Sequence, residues 1–200
     1  MGKEAKNILA MDSNKWIMLV EELEQDSLKW VCYLKEHNFE VIMPDIVAGE
    51  ILALLSRKEG TRIYPERKTH FLRLMASGQK FEFKHIKTKH DEDYYYKKAE
   101  ILLKKHKLYE LQKLCGLCHT IDGKDIYALH KQDLAIFISL KELGKPYYFI
   151  THDNGLRDAF EIAEIRKVLM EEGICFILLH ETQIPKNRRI RRIKVMPEYG

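Results

Sequence analysis

Two hundred residues, 46% of them hydrophobic, suffice for one sizeable core, or for one domain with an insertion. No apolar run approaches the roughly 18 residues of a membrane span, which excludes an integral membrane helix. Thirty-four basic and 30 acidic residues leave a net charge of only +4, so any affinity for a polyanion has to come from local clusters.

Ile8–Met11 read as a buried strand, too short for a secretory signal. With four cysteines, the chain is expected in a reducing cytoplasm. Helices follow at Trp16–Leu23 and Ser27–Glu36, then a strand over "FEVIM", 39–43. Pro44 opens a helix to about Ser56, at the first turn where its missing N–H is harmless. From 61 to 118 the chain is charged and mostly helical, in pieces at 66–76, 94–105 and 107–115. Within it, "KFEFKHIK", 80–87, alternates as a strand or extended arm, with lysines among Phe81, Phe83 and His85. A long helix is expected over 125–142, stopped by Gly144 and Pro146. A strand at 147–151, a helix at about 154–172 and a strand at 174–179 complete the pattern. The remainder, including "KNRRIRRIK", 186–194, is basic and lacks helical periodicity.

Continuous apolar strands separated by helices make a parallel sheet covered on both faces. The expected fold is therefore α/β, a three-layer α/β/α arrangement around a mostly parallel sheet. It would form one domain over 1–182, with a largely helical insertion at about 57–123 and a basic tail at 183–200.

Ligands in such sheets bind outside the carboxyl ends of the strands. Asp12 and Asp153 stand there, although "DSN" and "THDN" also offer helix N-caps. On the expected helix 125–142, Ile126, Leu129, Asp133, Phe137 and Leu140 form one stripe, which places Asp133 on the buried face. Glu50 lies among Ile46, Val47, Ile51 and Leu54 in the same way. A carboxylate on an apolar face must be paired, protonated or metal-bound. If the two strand ends and two helix faces meet, four carboxylates crowd one cleft and require a neutralising charge. Hard oxygen donors suit Mg²⁺ or Mn²⁺.

These segments resemble PIN-domain nucleases. "LAMDSN" is similar to the family's first strand and its Asp–Ser/Thr–Asn motif, and "IMPDIVAGEI" to its strand, Pro, Val and metal-binding Glu. "DLAIFISLKELGKPYYFITHDNGL" is similar to its third acid, helix, strand and fourth acid. The resemblance covers about 7–56 and 124–180. It implies a single-stranded RNA endonuclease that uses Mg²⁺ or Mn²⁺ and leaves a 3′-hydroxyl and a 5′-phosphate. Asp12, Glu50, Asp133 and Asp153 would hold one or two ions, with Ser13 and Asn154 supporting the metals or their waters. Asp125 is the alternative third ligand if the helix register shifts. The long insertion departs from compact toxin members of the family.

"CGLCH", 115–119, matches a haem-attachment signal without an export signal, and its cysteines are not spaced as in a zinc ribbon. Two small residues packed at a helix end is the reading preferred here. In "YYY", 94–96, packing on the domain is expected, with an exposed ring able to stack a base.

The sequence thus reads as a metal-dependent ribonuclease whose nucleophile is a metal-activated water. RNA would be positioned by the insertion and by Arg188, Arg189, Arg191 and Arg192. It admits a homodimer or a regulatory protein partner, and no membrane. The alternative is a non-catalytic RNA- or protein-binding module on the same fold. A small-molecule phosphohydrolase is disfavoured, because Asn14 stands where a partner Asp would follow Asp12.

Overall fold

The computed structural model describes residues 7–24, 36, 38–56, 69, 72, 83–151, 153–181 and 190–196. The helices expected at 27–36 and 66–76 lie outside these, apart from single residues. The chain adopts the expected α/β class with mostly parallel strand pairing, and divides into two compact units, Met1–Lys87 and Thr88–Gly200.

The first unit runs β1 (Asn7–Met11), α1 (Ser13–Glu24), β2 (Phe39–Pro44), α2 (Asp45–Ser56) and β3 (Lys84–Ile86). Central β2 pairs in parallel with β1, from Asn7↔Phe39 to Ala10↔Ile42, and with β3, from Ile42↔Lys84 to Pro44↔Ile86. Ile8–Met11 and Val41–Met43 are buried without alternation, as a sheet covered on both faces requires. Helix α1 packs on α2. Trp16 and Leu19 are buried on α1, and Ile46, Val47, Ile51 and Leu55 on α2. Trp16 meets Phe83 edge-on at 5.1 Å, which ties the segment entering β3 to α1.

The second unit begins with α3 (Glu92–Lys105) and α4 (Leu108–Leu114), then a hairpin of β4 (Cys118–Ile121) and β5 (Lys124–Tyr127). Next come α5 (Lys131–Lys141), β6 (Tyr147–Thr151), α6 (Asn154–Glu161), α7 (Ala163–Glu171), β7 (Phe176–Glu181) and β8 (Ile190–Val195). Strand β7 pairs in parallel with β6, from Tyr147↔Phe176 to Thr151↔His180, and antiparallel with β8, from Phe176↔Val195 to Glu181↔Ile190. The core is an aromatic cluster. Phe137 of α5 stacks on Phe176 at 4.6 Å and meets Phe149 edge-on at 4.8 Å and Phe160 edge-on at 5.5 Å.

Three elements differ from expectation. The helix anticipated from 125 starts at Lys131, because Lys124–Tyr127 pairs with Cys118–Ile121 instead. Its turn is Asp122–Gly123, with φ of +49° and +73°, the two-residue geometry that suits hairpin twist. The helix anticipated over 154–172 breaks at Ile162, which is extended at φ −76°, ψ 117°. There the Arg166 guanidinium donates to the Phe160 carbonyl at 2.6 Å. The basic tail forms β8, with Ile193 and Val195 buried. Arg188 and Arg189 lie outside the described residues, while Arg192 is exposed on β8. The backbone of Arg191 belongs to β8, opposite His180.

Candidate active site

Each unit carries two of the four acids singled out from the sequence. In the first, Asp12 follows the carboxyl end of β1 and is buried, at 7% exposure. Its Oδ1 accepts the Lys15 N–H at 2.6 Å, and its carbonyl accepts the Trp16 N–H at 3.1 Å, so it caps α1. Capping engages Oδ1. Ser13, the next residue, is half-buried. Glu50 stands mid-way along α2, half-buried, two positions from Ala48 and one from Ile51, both buried. Lys15 is only 1% exposed. A lysine this deep is rare unless its ammonium is partnered. Sequence reading passed over it, although it lies four residues before buried Leu19 and three after Asp12, on one helical face.

In the second unit, Asp153 stands two residues past β6 and is exposed. Thr151 Oγ1 accepts the Asp153 N–H at 3.0 Å, and Asp153 Oδ1 accepts the N–H groups of Gly155 at 2.7 Å and Leu156 at 3.3 Å. A Cβ at Gly155 would sit 3.2 Å from that oxygen, so glycine leaves room for the cap. Exposed Asn154 accepts from the Arg157 guanidinium at 3.0 Å.

Asp133 is not in the middle of a buried stripe as expected. It occupies the first turn of α5, half-buried, with Oδ2 accepting the His130 N–H at 3.0 Å. Upstream, the side-chain amide of buried Gln112 bonds both backbone groups of Leu129, at 2.7 and 3.3 Å, which sets where α5 begins. His130 links the two acids of this unit. Its backbone binds Asp133, while its imidazole pKa is pushed down by burial and pulled back by the charge of Asp153. His130 immediately precedes α5, at its N-cap position.

Asp125, the alternative third ligand, is engaged in the hairpin. Lys113 holds it at 2.6 Å, Thr120 at 2.9 Å and Tyr127 at 3.4 Å. The Lys113 contact, seconded by Thr120, keeps its carboxyl below the usual range. Asp158 pairs with neighbouring Arg157 at 2.5 Å. Cys115 caps the C-terminus of α4, at a helix end as expected, but is exposed; Cys118, at the start of β4, is half-buried, and both are free. Of the three tyrosines, Tyr95 is buried, with its hydroxyl donating to Glu142 at 2.7 Å, and Tyr94 is partly exposed.

All four acids offer hard oxygen donors of the kind divalent cations take. Among the described residues, no three His, Cys, Asp or Glu side chains are grouped so as to hold a metal ion. Among those residues, too, no helix is long and apolar enough to cross a membrane.

No protein-family model matches the chain, and no curated protein does. Among solved structures, the chain is similar to the crystal structure of VapBC2 from Rickettsia felis bound to a DNA fragment from their promoter. The identity is 12% and the TM-score 0.46, over 78% of this chain and 94% of that one.

Proposed function

We propose that the chain is a PIN-like endoribonuclease that cleaves single-stranded RNA with Mg²⁺ or Mn²⁺. One observation carries the reading. Asp12 and Asp153 each stand just past the carboxyl end of a parallel strand, the edge where α/β sheets bind ligands, and Asp12 is buried there. Asp12, Glu50, Asp133 and Asp153 are the residues that would hold the cations. A bound cation would acidify a water and neutralise charge building on a phosphate oxygen.

The chain's own residues do the rest. Backbone N–H groups fix one oxygen of Asp12, Asp133 and Asp153, so these carboxylates are oriented before substrate arrives. Thr151 fixes the turn that carries Asp153. His130, beside Asp153 and kept toward its neutral form, is placed to accept a proton or a hydrogen bond at its ring.

The test is cleavage of a labelled single-stranded RNA with Mn²⁺. Wild type should cut, and Asp12→Asn should lose at least about a hundredfold while staying folded. Equal cleavage by the variant would remove the mechanism. Binding without cleavage by wild type would identify a non-catalytic RNA module.

A further inference from the structure

The second unit carries a groove of about 450 Å³ between α3 and α5, separate from the acids discussed above. We infer that this groove is an accessory site for single-stranded nucleic acid, with a base stacking on Tyr94 and the backbone following Lys98, Lys105 and Lys141. The inference rests on the RNA-binding part of the function proposed above and extends it to a surface away from the acids.

The mouth of the groove is aromatic. Tyr94 and His90 stack at 3.9 Å between ring centroids, and Tyr94 remains 36% exposed. Buried Tyr95 braces the pair edge-on, at 5.4 Å from Tyr94 and 6.1 Å from His90. A base can stack on the exposed part of Tyr94 without sequence preference, displacing the Lys98 ammonium that lies over the ring toward its phosphate. The apolar lining includes buried Leu102 and Ile174 beside exposed Ile101.

The rim is cationic in a line. Lys98 stands 5.5 Å from the Tyr94 ring centroid. Lys105 follows seven residues later on α3, about 10 Å along the axis. Lys141 faces them from α5. The groove also holds two acids, each engaged by neighbouring donors. Glu142 accepts the Tyr95 hydroxyl at 2.7 Å and the Lys89 N–H at 3.2 Å. Glu172 takes Lys105 at 2.6 Å and His106 at 2.7 Å, and its carbonyl accepts from Lys141 at 2.6 Å. Those contacts order two lysines in advance, with Glu172 offsetting the charge of Lys105 while Lys141 meets only a carbonyl there. A row of cations beside a stacked aromatic pair matches the row of phosphates and bases in a single strand. An acidic amphipathic peptide would use the lysines and the apolar lining, but it would leave the aromatic stack without a role. Along α5, Lys141 lies eight residues from Asp133, roughly 12 Å, so a strand anchored in the groove can run on toward that acid.

The test is binding of a short fluorescein-labelled oligouridine in EDTA, where no cleavage occurs, followed by anisotropy. Tyr94→Ala should weaken binding roughly five- to 150-fold, the worth of one stacked base, and Tyr94→Phe should restore most of it. Lys98→Ala should lower the log–log salt slope by about 0.7. The Tyr94 N–H that caps α3 on Asp91 belongs to the backbone and survives both changes, and circular dichroism will check it. Unchanged affinity for Tyr94→Ala would overturn the inference. So would a wild-type protein that ignores the oligonucleotide but binds an acidic amphipathic peptide. Tyr94-dependent binding by a protein that never cuts with Mn²⁺ would leave this site standing and remove the nuclease reading.

Discussion

Asp153 holds two backbone N–H groups with one oxygen, which allows folding and chemistry to be separated at this position. Asparagine caps helices about as well as aspartate, whereas alanine costs about 0.5–2 kcal/mol. Urea melts should therefore leave Asp153→Asn close to wild type and lower Asp153→Ala by about 1 kcal/mol, while both lose Mn²⁺-dependent cleavage. An asparagine variant that cuts normally would reduce Asp153 to a cap. Glu172 offers a separate test through pH. Lys105, then His106, hold its carboxyl below the ordinary value of 4.5. The unfolded chain thus binds its proton first, so the stabilisation is complete above about 4.5 and is lost as pH falls through the folded value. Glu172→Gln should flatten the fall in melting temperature between about pH 5 and 3; an unaltered slope would show the pairing contributes nothing. At this scale the sequence was informative about acids that end strands, because a carboxylate closing an apolar run stands out unaided. It was silent on Lys15, whose burial depends on packing.

The hairpin of β4 and β5 shows what element-level reading missed. Ile126 and Leu129 stand at helical spacing from Asp133, and that coincidence extended the predicted helix back to 125. The competing signal was Asp122–Gly123, whose positive φ angles close a two-residue turn. Gly123→Ala should cost about 1–2 kcal/mol through left-handed strain, read from the urea midpoint at constant m-value. No loss there would mean the hairpin contributes little to stability. Strand β8 was not legible, since only Ile193 and Val195 alternate within Ile190–Val195 and a run of arginines masks them. Its buried Ile193 and Val195 imply that deleting 190–200 removes about 1.5–3 kcal/mol for each side chain. The shortened chain should therefore melt earlier, and any change in RNA affinity belongs instead to exposed Arg192, tested by Arg192→Ala.

For the whole molecule, the α/β class was readable because uninterrupted apolar strands alternate with helices, and both units keep that order. Whether the four acids act together is a thermodynamic question. Asp133→Asn should leave the chelated protein's stability within about 1 kcal/mol of wild type, the scale of one pKa unit. At a hundred times its dissociation constant, Mn²⁺ should stabilise wild type by about 2.7 kcal/mol and the variant by much less. Melts that ignore Mn²⁺ in both proteins would remove Asp133 from the cation site. Helix capping by Asp12, Asp133 and Asp153 also bears on descent. Those acids are useful to folding whether or not any RNA is cut, so a lineage that abandoned catalysis would shed them slowly. Glu50, in mid-helix, closes no helix end. Its replacement would therefore remove no cap, whereas replacing any of the other three would also disturb a helix start.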